Sequence, residues 1–185
     1  ENQSAQSRQK LLAEMTREME GYNQSVRRAV QYAAQRRMAG VKGVLTQLIS
    51  VPQKFETAID MALGAAQQNI VTDNEETAKQ LIDFLRQNRF GRATFLPMSA
   101  VRSKLLSDRE RQALRLPGCL GVASELVSCA PEYRGIVENL LGRTVIAEDL
   151  DKGIAIMRAG GHSFRLVTLV GDVMHSGGSM TGGST

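Results

Sequence analysis

Two stretches of this 185-residue chain follow one plan: "VLTQLISVPQKFETAIDMALG", residues 44–64, and "LGVASELVSCAPEYRGIVENLLG", residues 120–142. In each, a β-rich run ends before a proline, and an amphipathic helix then begins at an aromatic residue and stops at a glycine nine positions later. The apolar residues of both helices lie at +3, +4, +7 and +8 from the aromatic residue. This internal repeat, with a period of about 78 residues, predicts two similar lobes.

Each half then continues in the same way. A short β-branched strand with a terminal acid follows, "NIVTD" in the first half and "TVIAED" in the second. A second helix comes next, roughly 74–88 in the first half, where Thr72 and Glu75 are spaced as a capping box, and roughly 151–159 in the second. The strands "RATFLPM" and "FRLVTLV" close the two halves. We predict an α/β (α+β mixed) fold with two β-α-β-α-β lobes, lobe I over residues 40–98 and lobe II over residues 119–185.

A polar, basic segment joins the lobes, and we assign it to residues 99–118. Ser107 and Glu110 have the spacing of a capping box, which predicts a short helix there. Pro117 and Gly118 predict a turn into lobe II.

Apolar residues before lobe I recur at alternating spacings of three and four, typical of a coiled-coil seam. They are Leu12, Met15, Met19, Tyr22, Val26, Ala29 and Ala33. We predict a coiled-coil arm helix over residues 1–39, ended by Gly40 and Gly43. No second heptad stretch exists in the chain, so we favour a partner helix outside this sequence over a helix folded back on the lobes. The first residue is Glu1 and not Met, so we also expect a fragment of a longer protein.

Composition limits the classes of protein that this chain can belong to. With 42% hydrophobic residues, it can bury one ordinary core or two small ones. A formal charge of +4 allows a polyanion as partner without requiring one. No run of about 18 apolar residues and no signal peptide occur, so we expect a soluble, non-secreted domain without a membrane partner.

Residues that carry chemistry are sparse. His162 and His175 are not spaced as metal ligands, and neither a GxSxG elbow nor a GxxxxGK[ST] phosphate loop is present. Cys119 and Cys129 are too few for a disulfide framework, and we expect them to be reduced and buried. We therefore expect no catalytic residue, no metal and no cofactor.

The glycine run "SGGSMTGGS", residues 176–184, is the most unusual segment of the chain. It directly follows the apolar run "LVTLVGDVM" and contains Met180, whereas a flexible tail would be polar throughout. Because glycine has no Cβ, the run favours an edge strand against which a second backbone packs closely. The alternatives are a flexible terminus and a small-molecule-binding α/β domain in which the run forms the lip of a pocket. A phosphate cradle is disfavoured, because the run has no Lys and no helix follows it.

The segments "GDVMHSGGSMTGGS", "ETAIDMALGAAQQNIVTD", "FGRATFLP" and "LGVASELV" together resemble the hinge domain of bacterial SMC (structural maintenance of chromosomes) proteins, over residues 40–185. The resemblance implies a non-enzymatic homodimer that joins two coiled-coil arms into a ring or V. The resemblance further implies that the domain belongs to a cytoplasmic, nucleoid-associated ATPase of chromosome condensation and segregation, whose ATP-binding heads and returning arm helix lie outside this sequence. It also implies an interface at Gly177, Gly178, Met180, Gly182 and Gly183.

Family resemblance also implies contact with DNA, for which two groups of basic residues are candidates. Eight Lys or Arg and only two acids lie between residues 86 and 115, and a second group lies on the arm and its junction with lobe I. We expect phosphate-dominated, sequence-tolerant and salt-dependent binding, while a solvated basic face remains the alternative for each group. The candidate residues are Arg36, Arg37, Lys42, Arg86, Arg89, Arg92, Arg102 and Lys104.

Overall fold

The computed structural model describes residues 22–184. The first half contains α1 (Gln24–Gln35), β1 (Val41–Val44), α2 (Leu45–Leu48), β2 (Ile49–Ser50), α3 (Glu56–Leu63), β3 (Ile70–Thr72), α4 (Glu75–Asn88) and β4 (Phe95–Pro97). The segment between the lobes contains α5 (Asp108–Gln112). The second half contains β5 (Cys119–Val122), β6 (Ser128–Cys129), α6 (Arg134–Leu141), β7 (Thr144–Ala147), α7 (Leu150–Ala159), β8 (Arg165–Thr168), β9 (Val173–Met174) and β10 (Met180–Thr181).

The two lobes share one sheet plan. In lobe I the strand order is β1-β3-β4, with β1 antiparallel and β4 parallel to β3. In lobe II, β5 and β8 flank β7 with the same directions, and the sheet continues through β9 to β10. Each first strand carries an irregularity at a glycine of positive φ, Gly43 at 138° and Gly121 at 134°. The repeated plan confirms the predicted mixed fold of two similar lobes, and lobe II adds a hairpin that lobe I lacks.

The run "VLTQLISV" is not one strand, contrary to our prediction. β1 ends at Val44, the short helix α2 follows, and β2 then pairs antiparallel with β6 of lobe II. The break has a local cause, because the Val44 amide donates to the Gln47 side chain at 3.1 Å and so starts the helical turn. The equivalent residues of lobe II form a 3-10 turn, Ala123–Leu126. These turns bring the two lobes together through the β2–β6 pair.

One of the two predicted helix caps is correct. At α5, the Ser107 side chain accepts from the Glu110 amide at 3.2 Å and the Glu110 carboxylate accepts from the Ser107 amide at 2.8 Å. At α4 the prediction of Thr72 is wrong, because Thr72 is buried in β3. The cap is Asn74, whose side chain accepts from the Thr77 amide at 3.0 Å. Asn is as favourable an N-cap as Ser or Asp, so the sequence contained two candidate N-caps for α4, Thr72 and Asn74.

Helix α1 packs on lobe I. Its buried residues are Ser25, Val26, Ala29, Val30 and Ala33. Val26, Ala29 and Val30 form one cluster with Val44, Ile70 and Leu85 of lobe I. For α1, our preference for a coiled-coil partner outside the sequence is therefore wrong, because lobe I covers the part of the seam that is described. The positions Leu12, Met15 and Met19 lie outside the described residues.

The end of α1 also differs from the prediction. The helix stops at Gln35, several residues before Gly40, and Arg37 adopts a left-handed conformation with φ 52°. The Met38 amide donates to the Ala33 carbonyl at 3.0 Å, which closes the helix end. Glycine was therefore not needed to end the helix.

A single apolar cluster spans both lobes. Ile59 and Leu45 of lobe I pack with Ile136 and Val167 of lobe II in this cluster, and all four are buried. A polar bond adds to it, because the half-buried Arg165 guanidinium donates to the Ala62 carbonyl near the end of α3 at 2.7 Å. Shared burial of this kind holds the two lobes as one body.

The segment between the lobes is fastened to lobe II by an ion pair. The Arg143 guanidinium donates to both Glu110 carboxylate oxygens, at 2.8 and 2.7 Å, and the Ser163 hydroxyl adds a bond at 2.6 Å. The hydrogen bonds from Arg143 are the largest cause of a lowered Glu110 pKa. Together with the other bonds they outweigh burial, which alone would raise it, and the pKa falls to about 2. Leu106 and Ala113 also pack in the lobe II core. The basic segment is therefore part of lobe II rather than a separate linker.

We predict that Glu110→Gln lowers the free energy of unfolding by about 2 kcal/mol at neutral pH, since it removes a charge-assisted pair. The Glu110 pKa rises from about 2 toward its ordinary value of 4.5 on unfolding, so its contribution is complete above pH 4.5 and is lost as the pH falls toward 2. Urea unfolding at several pH values measures both effects. Asp108→Asn, on the same short helix, is the control, and equal losses in the two variants would contradict the prediction.

Candidate functional site

The glycine run forms the last hairpin of lobe II. β9 and β10 pair antiparallel, with Met180 opposite Met174. The turn between them is closed by the His175 amide, which donates to the Ser179 carbonyl at 2.8 Å. Gly177 and Gly178 form the turn at φ 93° and 112°, conformations that L-residues other than glycine rarely adopt. β10 is an edge strand of the five-stranded sheet.

The outer side of β10 presents main-chain groups. In an antiparallel ladder, hydrogen-bonded and non-hydrogen-bonded pairs alternate, and the His175–Ser179 pair is hydrogen-bonded. The next pair, Met180 with Met174, is therefore a non-hydrogen-bonded pair. In such a pair the backbone amide and carbonyl of Met180 point away from β9. Among the described residues no strand pairs with this side of β10. It is an open sheet edge.

The four predicted glycines differ in what surrounds them. A Cβ at Gly177 or Gly183 would meet no atom within 4 Å, and one at Gly178 would meet only the His162 ring at 3.9 Å. A Cβ at Gly182, in contrast, would collide with the Asp172 carboxylate of the same chain. The structure therefore brings all four together along one edge with Met180, and three of them face open space. We call these five residues the glycine edge.

Two apolar residues near this edge were not predicted. Val170 is 77% exposed and Met61 is 48% exposed. Between them lies the buried Gly171, at φ 93°, where a Cβ would stand 3.0 Å from Met61 Cγ. The next residue, Asp172, contacts the glycine edge at Gly182. We call Met61 and Val170 the junction patch.

The repeat carried a signal for the junction patch. Met61 stands six residues after its aromatic start, and the equivalent position of the second repeat is the polar Asn139. Because the fold accepts a polar residue at this position of the second repeat, an apolar residue at the same position of the first repeat indicates a role in contact with another surface. Large exposed apolar side chains of this kind often mark contact surfaces.

Both histidines of the chain form hydrogen bonds with residues of the glycine hairpin. His175 Nε2 lies 3.0 Å from the Thr181 hydroxyl, and the His162 carbonyl accepts from the Gly177 amide at 2.8 Å. Within residues 22–184 no group of three or more His, Cys, Asp or Glu could hold a metal ion. The cysteines are free and only partly buried, and burial raises the pKa of Cys119.

Of the eight predicted DNA contacts, Arg36, Arg86 and Arg92 lie around α1, α4 and the loop after α4. Arg36 follows α1 and lies over the Tyr32 ring, which stacks on Phe84 of α4. Arg86 and Arg92 line one open cavity of about 310 Å³ beside α4. Arg89 caps the end of α4 in a left-handed conformation. These residues form the lobe I basic surface, together with Arg28, which was not among the eight.

The remaining residues of the eight lie elsewhere. Arg37 and Lys42 line a second cavity, of about 280 Å³, between the end of α1 and β1. Arg102 and Lys104 lie on the segment between the lobes, where the Arg102 carbonyl accepts from the side-chain amide of Asn139 at 2.8 Å. The fold thus places the eight predicted residues at three separate locations: the lobe I basic surface, the second cavity and the segment between the lobes.

The pocket hypothesis gains no support from the cavities. Four open cavities of about 280–320 Å³ are lined by residues of α1, lobe I and the loop after α4, and no residue of the glycine run lines any of these four. Within residues 22–184, no helix has the length and apolar character needed to cross a membrane.

Comparison with known proteins gives a consistent result. The family model described as "SMC proteins Flexible Hinge Domain" matches residues 38–157. The "Chromosome partition protein Smc" of Bacillus subtilis is 46% identical over 183 residues, which cover 98% of this chain and 15% of that protein. The protein of the same name from Halothermothrix orenii is 38% identical over 174 residues, covering 94% and 14%. This chain thus spans about one seventh of the length of these relatives.

Solved structures agree with these matches. The chain is similar to the "asymmetric dimer of the Geobacillus stearothermophilus SMC hinge domain", with a TM-score of 0.87 and 42% identity, covering 99% of this chain and 74% of that one. It is also similar to the Pyrococcus furiosus SMC protein hinge domain, with a TM-score of 0.70 and 27% identity, covering 94% and 86%.

We predict that Gly171→Ala lowers the free energy of unfolding by about 2–3 kcal/mol, through a disfavoured positive φ and a forced shift of Met61. Gly161→Ala is the matched control, because its φ is also positive, at 71°, but a Cβ there meets no atom within 4 Å. It should cost only about 1 kcal/mol. Urea unfolding of both variants tests this, and equal losses would show that the contact with Met61 has no energetic role.

Proposed function

Because this chain belongs to the family of SMC flexible hinge domains, we propose that it joins two copies of a chromosome-partition protein as a homodimer and also contacts DNA. The observation that carries the proposal is the open edge of β10, lined by glycines and Met180. A relative with 42% identity is described as a dimer. The hinge itself has no role in catalysis in this proposal, and ATP hydrolysis belongs to other parts of the longer protein.

The repeat supplies a matching surface for β10. In lobe II, β9 pairs on the free side of β8, and β10 pairs with β9. Lobe I has no equivalent hairpin, so β4, the equivalent of β8, has no neighbour on that side among the described residues. Each chain therefore has an outward edge on lobe II and a vacant edge on lobe I.

A two-fold arrangement satisfies both edges at once. Lobe II of one subunit meets lobe I of its mate, and the same contact is made a second time across the symmetry axis. The exposed apolar side chains of Met180 and the junction patch would be covered, and the absent side chains of Gly177 and Gly183 would allow close approach. Two such contacts should together bury at least about 1,000 Å². The resulting dimer would hold two coiled-coil arms in a ring or V.

We predict that Met180→Lys weakens the dimer at least tenfold, because a lysine on an edge strand opposes pairing and its charge would be buried without a partner. The residue is 51% exposed, so the monomer should keep its fold. Light scattering after gel filtration over a dilution series measures the dissociation constant. Met180→Leu, which stays apolar, is the control and should remain dimeric.

An unchanged dissociation constant for Met180→Lys would contradict the β10 interface. Bulky residues at Gly178 and Gly182 should also disrupt the dimer, but they test the interface less cleanly. Gly178 has φ 112°, and a side chain at Gly182 would collide with Asp172 within its own chain. Both changes would therefore disturb the hairpin itself.

Contact with DNA is supported by the distribution of charge. Residues 22–55 contain six Lys or Arg and no Asp or Glu, and most of these basic side chains are exposed. Such a surface attracts phosphates without reading bases. The binding should accordingly be tolerant of sequence.

We predict that the chain binds a duplex of arbitrary sequence and that the logarithm of the association constant falls linearly with the logarithm of salt concentration between about 50 and 200 mM. Each phosphate contact contributes about 0.9 to the slope. Fluorescence anisotropy with two unrelated sequences of equal length measures it. Absence of binding at the lowest salt would refute the DNA contact and leave the dimer proposal intact.

A further inference from the structure

Three aromatic residues, from α1, α4 and the loop after α4, form a stack with an arginine at each end. Tyr32 and Phe84 stack with ring centroids 3.9 Å apart and planes 16° apart, and Phe90 is tilted against Phe84 at 5.6 Å. The Arg28 guanidinium lies 4.8 Å from the centre of the Phe90 ring, and the Arg36 guanidinium lies 5.0 Å from that of Tyr32. We call these five residues the arginine platform.

We propose that the arginine platform is the part of this chain that binds DNA, with Arg28 and Arg36 each holding one backbone phosphate. This inference rests on the proposed contact with DNA and adds where and how that contact is made. Arg28 is the new element, because nothing in the sequence distinguishes it from the other basic residues before lobe I.

The stack prepares the two arginines for phosphate. A guanidinium that lies over a ring keeps its N–H groups in its own plane, where they remain available to an anion. The ring also limits the conformations of the side chain, so less freedom is lost on binding. Among residues 22–184, neither Arg28 nor Arg36 takes part in the ion pairs, which join Lys79 and Arg86 to Asp83, Arg111 to Glu125, and Arg143 to Glu110.

The spacing of the two arginines suits a nucleic-acid backbone. Arg28 and Arg36 are eight residues apart along α1 and its cap, which corresponds to about 12 Å at 1.5 Å per residue. When α1 lies along a duplex, whose axial rise is about 3.4 Å per base pair, this separation of the two Cα atoms spans the axial length of about three or four base pairs. Arg86 and Arg92 lie at the same surface, and the Ser25 hydroxyl fixes the Arg92 loop by donating to its carbonyl at 2.6 Å.

The rings support the arginines rather than offer themselves to bases. Tyr32 already contacts Phe84 and Arg36, and Phe90 already contacts Phe84 and Arg28. All three rings are half-buried. A base could stack there only by displacing a guanidinium, so the platform favours phosphate contact without base recognition.

The test compares two pairs of basic residues by fluorescence anisotropy on one duplex over a series of salt concentrations. Arg28→Ala with Arg36→Ala should lower affinity about tenfold near 100 mM salt and reduce the salt slope by about 1.8. The control is Arg102→Ala with Lys104→Ala, on the segment between the lobes, which changes the net charge by the same amount. It should lower affinity less than about twofold. The reverse order would overturn the platform while leaving DNA binding in place, and a wild-type chain that binds no DNA would refute both.

A second comparison isolates the aromatic support. Tyr32→Leu keeps every charge but removes the ring under Arg36, and it should lower affinity about threefold with the salt slope unchanged. Tyr32→Phe keeps the ring and should bind like the wild type. Circular dichroism and gel filtration check that each variant keeps its fold and assembly.

Equal affinity of Tyr32→Leu and the wild type would overturn the platform, since the ring would then have no part in binding. A competition experiment gives a second test, in which polyglutamate and inorganic polyphosphate of equal charge each compete with the duplex for the wild-type chain. Equal competition by the two polymers would also overturn the platform, since the surface would then bind any polyanion rather than phosphate.

Discussion

The shared apolar core between the lobes is the constraint on which the other features depend. α3 of lobe I and α6 of lobe II both contribute to it, and Arg165 adds a hydrogen bond across the junction. If the lobes moved independently, the edges of β4 and β10 would have no fixed separation. Because they form one body, a second copy can engage both edges in a single rigid arrangement, and the entropy of fixing the lobes is already lost on folding.

The pattern of repeats predicted the fold well because it depends on local periodicity. Aromatic starts, glycine stops and helical spacing are properties of the chain near each element, and they placed α3, α6, α4 and α7 close to where they lie. The separate strand β2 could not be foreseen, because it exists only by pairing with β6 about 80 residues away. Likewise the Asn74 cap could not be chosen over Thr72 without knowing which residue β3 buries.

The candidate site was predictable to a different degree in its two parts. The glycine edge was visible because glycine itself carries the information, and one consecutive run supplies all its residues. The arginine platform was not, because α1, α4 and the following loop contribute to it, and Tyr32 lies more than 50 positions before Phe84 and Phe90. The sequence showed few aromatic residues and gave weak support for stacking. The structure shows that three of the eight Phe and Tyr residues meet at one surface.

The packing of α1 on lobe I links this helix to both proposed contacts. Its small apolar residues, Ala29 and Ala33, let the helix lie close on lobe I, and this fixes the direction in which α1 leaves the lobe. One flank of the same helix, next to this buried face, carries Arg28, Tyr32 and Arg36. A phosphate backbone bound there would therefore lie against α1, on the lobe whose β4 edge is proposed to receive the second subunit. A change in the angle between α1 and lobe I would separate Tyr32 from Phe84 and Arg28 from Phe90, so the orientation of α1 and the geometry of the platform are physically coupled.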